Sequence, residues 1–159
     1  MKILKWLDAH LEEVVIFVTL SAMSVIIALQ VLMRYGFQSS LSWSEEVARY
    51  LFIWLIYIGI SYGVKMNAHV AVTATDLILP AGGRRAMKIV SAVVFLFFSL
   101  TIVYFGWQVC FKIMRLGQEA PATGLDMWIV YLAVPTGFTL TCFRLVQRLY
   151  LLFKNPELD

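Results

Sequence analysis

Residues 14–33 read VVIFVTLSAMSVIIALQVLM, a stretch without a charged side chain that closes on Arg34. An α-helix rises about 1.5 Å per residue, so this run reaches about 30 Å, the thickness of a bilayer's hydrocarbon core. It exceeds the apolar region of a cleaved signal peptide, about 7 to 15 residues, and no small-x-small cleavage site follows it. The segment is therefore expected to persist as a membrane anchor. Working outward, three further apolar runs of spanning length occupy about 47–64, 89–111 and 127–143. The expected fold is all-α: an integral membrane protein with four transmembrane helices, one membrane domain over residues 1–159.

The totals agree. Hydrophobic residues make up 61% of the chain and charged residues 14%, with a mean hydropathy of +0.81. A soluble domain carries about 25% charged residues to cover its surface, so much of this surface must face lipid or another protein. The net charge of +3 does not indicate nucleic acid, because the Lys and Arg residues sit at the ends of the apolar runs. There they mark orientation. Cys110 and Cys142 have neither a disulfide framework nor metal-ligand spacing. His10 and His69 lie outside the apolar runs, which disfavours a bis-histidine haem. No cofactor and no catalytic constellation is expected.

Between the spans the residues suggest shorter devices. Residues 1–11 carry Ile3, Leu4, Leu7 and Leu11 at helical spacing against Lys2, Lys5 and Asp8. They read either as an interfacial amphipathic helix or as the first turns of span one. Residues 144–153 continue span four as an amphipathic helix with Arg144 and Arg148 one turn apart. Ser42-Trp43-Ser44-Glu45 fits an S-x-x-E capping box. Leu79-Pro80 and Gly82-Gly83 are read as breaking the connection 67–85, and its apolar middle, 70–79, as lying at the interface or against a partner. Residues 116–126, with Gly117, Pro121 and Gly124, read as a loop. Pro135 inside span four removes a backbone donor and should kink it.

Orientation follows from the basic residues. With a cytoplasmic N-terminus the inner segments hold Lys2, Lys5, Lys65, Arg84, Arg85, Lys88, Arg144, Arg148 and Lys154. The outer ones hold Arg34, Lys112 and Arg115, with Arg49 near that side. The positive-inside rule then places both termini in the cytoplasm. Cys110 and Cys142 fall at opposite ends of their spans, too far apart for a disulfide.

Candidate functional residues are few. No span has a carboxylate near its centre, whereas ion- and proton-coupled carriers usually place ionisable groups inside the bundle. At the edge of span two, Glu45 and Arg49 form an i,i+4 pair with the acid first, the better order. Glu46 adds a third charge, flanked by Trp43 and Trp54. This set reads equally as local pairing plus a cap or as a docking patch. Gly59 and Gly63 fit GxxxG and permit close approach of another helix. Gln30, Gln108, Ser61 and Thr139 read as interhelical hydrogen-bond partners. His69, in a loop, reads as structural.

Residues 41–72, LSWSEEVARYLFIWLIYIGISYGVKMNAHVAV, resemble the signature region of the small membrane subunit (DctQ type) of tripartite ATP-independent periplasmic, or TRAP, transporters. The likeness rests on Trp43, then Glu45 and Glu46, Ala48-Arg49, Trp54, Gly59 and His69 in that order. Leu79-Pro80 followed by Arg84 or Arg85, Pro121 through Trp128, and Pro135-Thr136-Gly137 with Arg144 extend it over most of the chain. The first carboxylate after His69 is Asp76, later than the family pattern has it.

The resemblance implies a bacterial inner-membrane scaffold subunit, not an enzyme. Its partners would be a large multi-span membrane subunit holding substrate and sodium sites, a periplasmic binding protein that delivers an organic acid (sialic acid or dicarboxylate class), and membrane lipid. Outer residues such as Arg34, Gln38 and Lys112 could then touch the binding protein. Two other readings compete. A membrane-anchor subunit of a redox complex would carry haem or quinone. A small homodimeric multidrug exporter would need an intramembrane acid.

Overall fold

The computed structural model describes residues 2–39, 41–66 and 81–154. Five helices account for almost all of them: α1 Lys2–Gly36, α2 Ser42–Lys65, α3 Ala81–Leu116, α4 Met127–Tyr131 and α5 Ala133–Lys154. Among the described residues the extended structure is a single bridge, Glu119 with Asp126. Four segments are long and apolar enough to cross a membrane: His10–Gly36, Ser42–Lys65, Arg85–Leu116 and Met127–Lys154, the last combining α4 and α5. The chain is thus an all-α, multi-pass membrane protein.

Several boundaries differ from the sequence reading, each for a local reason. α1 runs unbroken from Lys2, so residues 2–11 continue directly into the first span. Gly82 and Gly83 fall in the first turn of α3 instead of breaking it, where glycine costs less than the roughly 1 kcal/mol per residue of a helix interior. The capping box does not form. Leu41 precedes the helix and offers no side-chain cap, while the Ser44 hydroxyl donates to the Leu41 carbonyl at 2.7 Å. Ser42 is already helical and so cannot serve as the cap. His69 and the segment 70–79 lie outside the described residues.

Pro135 acts as its chemistry requires. Having no N–H to return to Tyr131, it leaves the helix interrupted at Leu132, between α4 and α5. The ladder resumes one residue on, where the Thr136 N–H donates to the Leu132 carbonyl at 3.2 Å and the Thr136 hydroxyl donates to the same oxygen at 2.7 Å. The proline ring is buried against Gly106 of α3, where an added Cβ would meet it at 3.4 Å.

The helices form a row. Among the described residues, α1 packs on α2, α2 on α5, and α5 on α3, with α4 wedged near one end. α1 does not meet α3, so the row does not close into a ring. Phe138 of α5 sits in the middle, its ring centroid 6.0 Å from Tyr57 of α2 and 6.1 Å from Phe98 of α3. Val64, Ala92 and Leu145 form the buried cluster joining the same three helices, with Phe95, Leu96 and Leu149 against it. In the most apolar stretch of each span, 44% of the fourth is buried but 0% of the first. α5 is therefore the central helix, while α1 lies at the margin with its apolar side chains turned outward. Lipid chains are as apolar as leucine, so burial alone does not drive helices together in a membrane. Close fit and polar ties must do it.

Candidate functional site

The polar ties concentrate at the two opposite ends of the helices. At the first, Glu12 of α1 is fully buried. Arg144 of α5 grips it with both arms of its guanidinium, Nε to Oε1 at 2.5 Å and Nη2 to Oε2 at 2.8 Å. Ser61 of α2 donates its hydroxyl to the same carboxylate at 3.3 Å, and the Lys65 ammonium stands 3.6 Å away. Lys65 also pairs with Glu13 at 3.5 Å. Arg144 spends a further N–H on Gln147 at 2.8 Å. The backbones of α1 and α5 are not in contact, so these long side chains reach over α2 and bind three helices at one point. On the same side, Arg85 of α3 donates to the Leu152 carbonyl of α5 at 2.8 Å, which adds the fourth.

A planar fork meeting a carboxylate bidentately is the strong form of the charge-assisted hydrogen bond. A buried charge is tolerated only when it is paired and hydrogen-bonded, and Glu12 meets that condition through side chains of this chain. It lies two residues before the uncharged stretch that begins at Val14, at the depth where the apolar core starts.

At the opposite end Glu46 of α2 is also buried, 8% exposed, but its partners are of another kind. Its Oε2 accepts the backbone N–H groups of Ala122 at 3.0 Å and Thr123 at 2.9 Å. The Tyr50 hydroxyl donates to Oε1 at 2.7 Å and lies 3.3 Å from the Met127 sulfur. The loop so held is tight. Ala120 N–H bonds to Leu125 at 2.8 Å and Met127 N–H to Gln118 at 2.9 Å. The turn closes at Gly124 with φ +66°, a conformation glycine adopts without steric cost. Glu45, the neighbouring acid, accepts instead from Gln30 of α1 at 2.8 Å.

The residues singled out in the sequence therefore separate. The expected Glu45–Arg49 pair does not form: Glu45 turns to α1, and Arg49 is exposed. Trp43 is 40% exposed at the start of α2, and Trp54 is half-buried further along it. Neither joins the Glu46 cluster. A Cβ at Gly59 or Gly63 would meet nothing within 4 Å, so among the described residues no helix packs closely on that face. Gly137 makes the close approach instead, since a Cβ there would lie 2.6 Å from the Tyr57 Cβ and 2.7 Å from its carbonyl oxygen. Gln30 and Ser61 do bond between helices, whereas Thr139 returns its hydroxyl to Pro135 within α5 at 2.6 Å.

Glu12, Lys65 and Arg144 were not legible as a set. Their pairing needs the chain to run through four spanning segments before residues 132 positions apart come together. The available signal was two acids, a lysine and an arginine at ends that topology places on one side of the membrane.

Residues 23–155 match the family described as the DctQ component of tripartite ATP-independent periplasmic transporters. A TRAP transporter small permease protein of Haemophilus influenzae is 32% identical over 90% of this chain and 90% of its own length. The isethionate TRAP transporter permease protein DctMQ of Oleidesulfovibrio alaskensis is 30% identical over 92% of this chain, the match taking up 24% of that longer protein. The C4-dicarboxylate TRAP transporter small permease protein DctQ of Rhodobacter capsulatus is 30% identical over 75% of this chain and 52% of its own length. With four spanning helices and a match over most of its length, the chain belongs to the DctQ family, the small membrane subunits of TRAP transporters.

Proposed function

We propose that this chain is a non-catalytic scaffold subunit of a sodium-driven TRAP transporter that imports an organic acid, of the sialic acid or dicarboxylate class. It works beside a large membrane subunit and a periplasmic binding protein. The observation that carries the reading is the state of its two buried carboxylates. A carrier leaves an intramembrane acid available for an ion or cargo. Here Glu12 is taken up by Arg144, Lys65 and Ser61, and Glu46 by a loop and Tyr50. The open row of helices supports the same view, because a row does not enclose a midplane cavity between repeats as carriers do.

The organic-acid class rests on relatives named for isethionate and C4-dicarboxylate, together with the signature of residues 41–72. Membership of the TRAP small-subunit family supports this reading over the redox-anchor and exporter alternatives. The bias of Lys and Arg residues supports an inner-membrane orientation with both termini cytoplasmic, the Glu12 end inward and the Glu46 end outward. The outward ends of α1 and α2, with Arg34, Gln38 and Trp43, would then stand toward the binding protein. The open face at Gly59 and Gly63 would receive a helix of the large subunit.

Reconstitution tests this. In liposomes, uptake of sialic acid or succinate driven by a sodium gradient is expected with both membrane subunits and the binding protein, and absent with this chain alone. Specific, sodium-dependent uptake by this chain alone would refute the scaffold role.

A further inference from the structure

The last turns of α3 carry three polar side chains on one stripe. Gln108, Lys112 and Arg115, at helical spacings of four and three, line an open groove of about 370 Å³ with Phe111 and Leu116. All three are exposed, and among the described residues none has an ion pair or hydrogen bond. The contrast along the same helix is informative. Ser99 and Thr101 return their hydroxyls to carbonyls one turn back, at 2.7 and 3.0 Å, the usual way a polar group is satisfied in a span. Gln108 has no such bond, although it lies inside the apolar run 89–111. An amide left unsatisfied against hydrocarbon is costly.

We propose that Gln108, Lys112 and Arg115 bind the headgroup of an anionic phospholipid in the leaflet opposite the Glu12–Arg144 end. Depth argues for this ligand. The stripe begins about one turn inside the apolar run and ends about one turn beyond it, about 10 Å along the helix axis, the level at which a phosphodiester passes into its glycerol esters. Lys112 and Arg115 supply two positive charges to the phosphate, and Gln108 reaches the ester oxygens below it. The surroundings suit a lipid as well. Trp107 and Phe111 stack at 5.6 Å, partly exposed, at the position of an interfacial aromatic belt. Further down the same stripe, Tyr104 and Phe97 are 63% and 74% exposed and offer an acyl chain an apolar wall. An acidic protein surface would meet Arg115 and the 117–126 loop but would not descend to Gln108. The headgroup assignment replaces the expectation that Lys112 touches the binding protein.

Native mass spectrometry of the assembled membrane complex, delipidated and then exposed to phosphatidylglycerol or phosphatidylethanolamine, tests the site. The wild type is expected to retain one phosphatidylglycerol that a Lys112→Gln/Arg115→Gln variant loses, with retention falling about 25-fold from two basic contacts. Lys112→Arg and the distant Lys154→Gln should keep it. Should the doubly neutral variant fail to assemble, Gln108→Leu leaves both charges in place and should still weaken retention several-fold. Equal retention of the two lipids by the wild type would overturn the proposal. So would unchanged phosphatidylglycerol in the variants, or loss of the binding protein from the complex without loss of lipid.

Discussion

The two ends of this membrane protein each bury a glutamate, and they satisfy it in opposite ways. Glu12 is held by cations on other helices, whereas Glu46 is held by backbone N–H groups of a loop and by a tyrosine on its own helix. The first arrangement ties α1, α2 and α5 together where lipid supplies no driving force for their association. The second orders a connection between α3 and α4 that would otherwise present free N–H groups near the membrane. One carboxylate is a clasp between helices and the other a pin for a loop. Breaking them should therefore produce different losses.

The largest effect is expected at the clasp. Arg144→Ala leaves Glu12 buried with Lys65 as a more distant partner, and removing one member of a buried pair costs about 3 kcal/mol or more. The thermal midpoint of monodispersity of the solubilised complex should fall accordingly. Glu12→Leu combined with Arg144→Leu should recover most of that loss, because replacing both partners with apolar groups is often neutral. Failure of the double variant to recover would mean that the charges do more than hold the helices.

Glu46→Leu should act more locally. Amide hydrogen exchange at Ala122 and Thr123 is expected to speed up, with a smaller drop in the thermal midpoint than Arg144→Ala gives. A larger drop would reverse the comparison. Tyr50→Phe removes one of three donors to Glu46 and leaves both loop N–H bonds, so exchange in the loop should change by less than it does in Glu46→Leu. Smallest of all should be Arg49→Ala. Arg49 is exposed and makes no ion pair with Glu45, and a single exposed charge contributes about 0–1 kcal/mol. A midpoint shift as large as that of Arg144→Ala would show that a partner subunit buries it.

The sequence carried the membrane architecture almost whole, because the signal for a span is local: a run of apolar residues as long as a bilayer is thick. The interruption ahead of Pro135 was legible for the same reason, since a proline's missing donor acts within its own helix. What was not legible is pairing between helices. Arg144 read as one of two cations on an amphipathic tail and as part of the family pattern, with no partner assigned, and Glu12 drew no attention beside a long apolar run. GxxxG at Gly59 and Gly63 is a local pattern whose meaning depends on which face meets a neighbour. Among the described residues nothing packs closely on that face, and Gly137, in the looser small-residue spacing Ala133–Gly137–Thr141, takes the close contact with Tyr57. At α2 the acid-first spacing of Glu45 and Arg49 favoured an ion pair on an isolated helix, but Gln30 of α1 stood nearer.

In the sodium-driven transporter proposed above, the Glu12 clasp is structural and takes no part in coupling. The direct measurement is the sodium dependence of organic-acid uptake in proteoliposomes containing the complete transporter, wild type against the Glu12→Leu/Arg144→Leu variant. An assembled complex with unchanged sodium affinity and Hill coefficient is expected. A variant that assembles normally but loses or alters its sodium dependence would contradict it.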